Sequence, residues 1–66
     1  MAGIAQQIEL YNLAYKLAWK HISEDQKRQQ PNIAQHLHDS IRRHLKGGAT
    51  EPLFIASDAL RDVERS

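Results

Sequence analysis

Sixty-six residues without a cysteine leave room for one domain, spanning 1–66, and exclude disulfides, thiolate zinc sites and cysteine nucleophiles. Nine basic against eight acidic side chains give a net charge of +1, which recommends neither nucleic acid nor a membrane surface as partner. A chain of this size buries only about 60% of the surface its unfolded form exposes, so its thin core calls for an oligomer, a partner or very efficient helix packing.

The apolar share of 41% is well above that of disordered chains. No window approaches the ~18 continuous apolar residues of a membrane span. No charged and then apolar leader opens the chain, so the expected location is cytoplasmic. Three periodic segments and two breaks predict an all-α fold. The expectation is a small three-helix domain, a long N-terminal helix plus a helical hairpin, completed by dimerisation.

The first helix is expected over 3–23. Ile4, Ile8, Tyr11, Tyr15, Ala18 and Ile22 recur at alternating spacings of four and three, within an arc of about 80°. A second set, Leu10, Leu13, Ala14 and Leu17, lies on another face. Asn12, Lys16, Glu9 and Lys20 fill the narrow polar remainder. A helix apolar over most of its circumference is a buried helix, and two short helices cover one side of it. Tyr11, Tyr15 and Trp19 lie together, and Tyr and Trp are enriched at interfaces. Ile8, Tyr11, Tyr15 and Trp19 are therefore the expected interface on this helix.

Ser23 to Pro31 contains no apolar residue and reads as a break into which the first helix frays. Pro31 disfavours helical geometry at the residue before it. The second helix is expected over 32–46, opened by an Asn32/Gln35 capping box or by Pro31 at its first position. Ile33, Ala34, Leu37, Ile41 and Leu45 form its core stripe. Lys46-Gly47-Gly48 supplies the stop, a cation followed by a glycine able to take the left-handed cap. His36 and His38, two apart, point away from each other and cannot chelate one ion. His44 projects onto the apolar side. It is expected as a core-edge histidine hydrogen-bonded to a neighbour, the alternative being a pH-sensitive packing residue or a ligand completed by another chain.

The third helix is expected over 51–65, with Thr50 as N-cap and Leu53, Ala56, Ala59, Leu60 and Val63 as its stripe, Ile55 at the edge. Phe54 projects off that stripe. It either packs locally, folding back over the preceding connection or reaching the first helix, or anchors another chain, and it completes the expected interface set.

No metal site, cofactor or enzyme activity is expected: no nucleophile elbow, phosphate loop or His-Glu-x-x-His string occurs. Gln26 to Gly48 carries a local +4 from Lys27, Arg28, Arg42, Arg43 and Lys46 against Asp39. Two helices joined by a glycine-containing turn outline a helix-turn-helix, with Arg42, Arg43 and Lys46 as nucleic-acid contacts. The supposed recognition helix carries −2, which phosphates would repel. Nucleic acid is thus the lesser expectation. The leading one is a self-associating helical interaction module, a homodimer, with an unidentified protein partner also open.

Overall fold

The computed structural model describes residues 4–65, and of Ile4 the backbone alone. The expected start at Gly3 and the Ile4 side chain lie outside the described residues. Four helices follow in order: α1 (Ile4–Lys20), α2 (Glu24–Gln29), α3 (Ile33–Lys46) and α4 (Pro52–Arg65). All regular structure among the described residues is helical.

The expected three helices are four, because the polar break folds into α2 instead of fraying from α1. At the end of α1 the His21 and Ile22 amides donate to the carbonyls of Ala18 and Trp19, tightening the last turn. Ser23 then caps a new helix, its Oγ accepting from the Gln26 amide at 3.1 Å. Glu24 and Asp25 in the first turn and Lys27 and Arg28 in the last match the helix dipole. Ser23-Glu24-Asp25-Gln26 has the capping-box spacing that was assigned to Asn32 and Gln35. Asn32 makes no side-chain cap bond, and the Gln35 Nε2 donates instead to Asp39 at 3.0 Å. Nor is Thr50 the residue next to α4, which starts at Pro52.

The stop after α3 forms at Gly48. The Gly48 amide donates to Leu45 and the Ala49 amide to His44, both at 3.1 Å, the two bonds of a Schellman motif. That motif puts Gly48 at φ +92°, the left-handed region that glycine enters without a Cβ clash.

The core draws Ala14, Ala18 and Ile22 from α1 and the turn after it, Ile33, Leu37 and Ile41 from α3, and Ile55, Ala56, Ala59 and Val63 from α4. Leu37, Ile41, Ile55 and Val63 are fully buried, each contributing about 1.5–3 kcal/mol relative to exposure. Two apolar faces were read on α1. The core lies between them, on the alanines where they meet. Small side chains there allow close helix approach, and the larger residues flank the seam as two shoulders, Tyr11, Tyr15 and Trp19 on one side and Leu10, Leu13 and Leu17 on the other.

The stripe on α4 is likewise turned. Ile55 is fully buried, whereas Leu53, expected in the core, is 70% exposed. A helix against two neighbours buries about half its circumference, and the arc that includes Ile55 and Ala59 leaves Leu53 outside. The molecule measures 40 × 17 × 17 Å, so about two helix widths make up each short dimension.

Candidate functional site

The aromatic shoulder of α1 is engaged within the chain. Tyr11 and Tyr15 stack with ring centroids 5.8 Å apart, and Tyr15 and Trp19 at 5.7 Å, the consequence of placing aromatic rings at i, i+4 and i+8. His38 of α3 closes one end edge-on to Tyr11 at 5.3 Å, and its Nδ1 lies 2.6 Å from the Tyr11 hydroxyl. Lys27 of α2 closes the other end, its Nζ 4.5 Å from the Trp19 ring centroid and 3.4 Å from Glu24. Burial raises the Tyr11 phenol pKa above 10.0, the Tyr15 hydroxyl adds to this, and Arg42 opposes it. Gln7, Ile8, Tyr11, His38, Arg42 and Leu45 line a shallow hollow of about 290 Å³ beside this column.

Helices α3 and α4 run antiparallel, joined by polar contacts that neither stripe predicted. Ser40 is 2% exposed, and its hydroxyl donates to Asp62 at 2.5 Å. One turn further along α3, His44 Nδ1 lies 2.7 Å from the Ser40 carbonyl and Nε2 3.4 Å from Asp58. A carbonyl only accepts, so Nδ1 carries the hydrogen and Nε2 faces the carboxylate. His44 is thus a core-edge histidine hydrogen-bonded to a neighbour, the Ser40 carbonyl. Beside this seam, and sharing Ser40 and Asp62 with it, His36, Asp39, Arg43 and Arg65 line a groove of about 430 Å³. Its two cations face two carboxylates, so it has no single sign with which to collect an ion. Among the described residues no three His, Asp or Glu side chains converge to hold a metal. No helix among them is long and apolar enough to cross a membrane.

Of the five residues expected at an interface, Ile8 and Phe54 are exposed, and Tyr11, Tyr15 and Trp19 are half-buried in the column. At 69% exposure Phe54 does not fold back over the connection before it, so the local-packing account of it fails. Arg42, Arg43 and Lys46 are all exposed at the C-terminal end of α3.

The leucine shoulder lacks any equivalent cover. Leu13 is 46% and Leu53 70% exposed, and Leu10, Leu17 and Leu60 are half-buried. Leu17 of α1 and His21, in the turn after it, face Leu53, Ala56, Ser57 and Leu60 of α4 across a hollow of about 260 Å³, so the leucines of the two helices share one side of the molecule. Sequence reasoning read Leu10, Leu13 and Leu17 as a second apolar face of α1 but put the expected interface on Ile8, Tyr11, Tyr15 and Trp19, and it placed Leu53 and Leu60 in the core. No protein-family model matches the chain, and neither a curated protein nor a solved structure does so at a significant level.

Proposed function

We propose that this chain is a small helical interaction module that associates with a second copy of itself through the leucine shoulder shared by α1 and α4. The observation that carries this reading is Leu13 and Leu53 standing 46% and 70% exposed on the side that Leu17 and Leu60 share. The aromatic shoulder has partners at both ends and along its length. The leucine strip meets water, and a contiguous exposed apolar patch on a small protein marks an interaction site. A standard interface covers about 800 Å² per partner, about a sixth of the 4966 Å² surface of this chain. A two-fold pair is the commonest closed arrangement and buries the same patch on both copies.

The nucleic-acid reading has less support. A helix-turn-helix sets its two helices at about 90–120°, whereas α3 and α4 run antiparallel, with Ser40 bonded to Asp62 and His44 level with Asp58. No residue is assigned a catalytic role. The test is Leu13→Ser combined with Leu53→Ser. Association should weaken by at least tenfold while the helical circular dichroism signal is kept. Unchanged association would place the contact elsewhere on the molecule.

A further inference from the structure

Resting on that self-association, we infer that α1 pairs with the α1 of the second copy in antiparallel orientation, in a register set by Glu9 against Lys16 and Lys20. All three charged residues are exposed, and none has an ion-pair partner among the described residues. At 100° per residue, Glu9, Lys16 and Lys20 fall within about 40° of one another, along one flank of the Leu10, Leu13, Leu17 strip. Lys16 and Lys20 are four apart, a like-charge pair that disfavours the isolated helix. The strip therefore has a negative charge on its flank near the N-terminal end and two positive charges on that flank near the other.

Two-fold antiparallel pairing sets each flank against the same flank of the other copy, reversed in direction. A parallel two-fold pairing would instead set this flank against the opposite flank of the other copy, the side on which α4 packs, and would bring no lysine across the seam to Glu9. Leucine packing selects the register. Crossing the helices between Leu13 and Ala14 brings Leu10 of each copy level with Leu17 of the other. Glu9 then sits level with Ala18, so Lys16 and Lys20 lie about 3 Å to either side of it along the axis. Each lysine pair gains an intervening carboxylate, twice in the dimer. On the opposite flank the same operation sets α4 facing α4, so Leu53 and Leu60 join the buried surface, consistent with the one side of the molecule that the leucines of the two helices share.

The test uses the full chain, which contains no cysteine, so introduced thiols are unique. In this register Gln6 lies level with His21 of the other copy, while the two Gln6 residues lie about 22 Å apart along the axis. Both positions are exposed. A mixture of Gln6→Cys and His21→Cys should give mainly the mixed disulfide on mild oxidation. In parallel, Glu9→Lys should weaken dimerisation about tenfold, and so should Lys16→Glu with Lys20→Glu. The triple variant Glu9→Lys/Lys16→Glu/Lys20→Glu should recover wild-type affinity, and salt should shrink all three effects. Self-linked Gln6→Cys dimers at the level of the mixed product, or no recovery in the triple variant, would overturn the antiparallel register while leaving self-association standing. A wild-type chain that stays monomeric would overturn both.

Discussion

Ala18→Leu probes the alanine seam that holds α1 against the rest of the molecule. Ala18 is fully buried, as are Ala14 on the same side of α1 and Ala59 on α4, with Ala56 at 4% exposure. Leu has nearly the helix propensity of Ala, differing by about 0.2 kcal/mol, so any larger effect comes from packing. Three added carbon atoms have no void to enter and must push α1 outward, at a cost of about 1–3 kcal/mol. A domain of this length holds roughly 3–10 kcal/mol in all, so the loss is a large share and corresponds to roughly 5–20 °C in melting temperature. Ile8→Ala is the paired control. It lies on the same sequence stripe as Ala18 but is 55% exposed, and should cost under about 1 kcal/mol. Urea unfolding followed by circular dichroism, at a concentration low enough to keep the chain monomeric, gives both values. A wild-type or raised midpoint for Ala18→Leu, or a larger loss for Ile8→Ala, would refute the seam and restore the face that the spacing alone suggests.

Ser40→Ala removes the buried donor to a half-buried carboxylate, and should cost about 1.5–3 kcal/mol in urea unfolding; a neutral substitution would mean that water replaces the hydroxyl fully. Ser23→Ala should lower stability by about 1 kcal/mol through loss of the α2 cap, and should change Trp19 fluorescence as Lys27 leaves the ring. An unaltered spectrum would show that α2 is not what holds Lys27 in place. In the Tyr15→Phe variant Tyr11 is the one tyrosine, and its phenolate absorbance should develop above pH 10.0 because burial, the largest cause of its shift, remains. The raised value implies stability that is present below pH 10.0 and lost as pH climbs through the folded-state value; a midpoint at or under 10.0 would remove burial as the cause.

Helix number and direction were legible to different degrees, and the reasons differ from residue to residue. The stripe of α3, apart from Ala34, which is exposed, and the Gly48 stop follow directly from spacing and from glycine. On α1 the spacing showed two apolar faces but could not say which was covered, because cover depends on where α3 and α4 dock. The alanines looked like minor members of both faces and prove to be their common centre. Helix α2 was readable in Ser23 and Gln26, yet its lack of any apolar residue concealed it, since periodicity was the signal being followed. Ser40 was also visible as a hydroxyl within the Leu37–Ile41 stripe. Its partner Asp62, twenty-two residues away, could be named only once α3 and α4 were set antiparallel. Tyr11 and His38 belong to the same class, each ordinary in its own helix and paired by tertiary packing.

Sedimentation equilibrium of the full chain from low to high micromolar concentration tests self-association most directly. The account predicts a mass that rises with concentration from 7.6 kDa towards twice that value, and a melting temperature that rises with it by mass action. A folded species that remains at 7.6 kDa throughout, with a melting temperature independent of concentration, would contradict it.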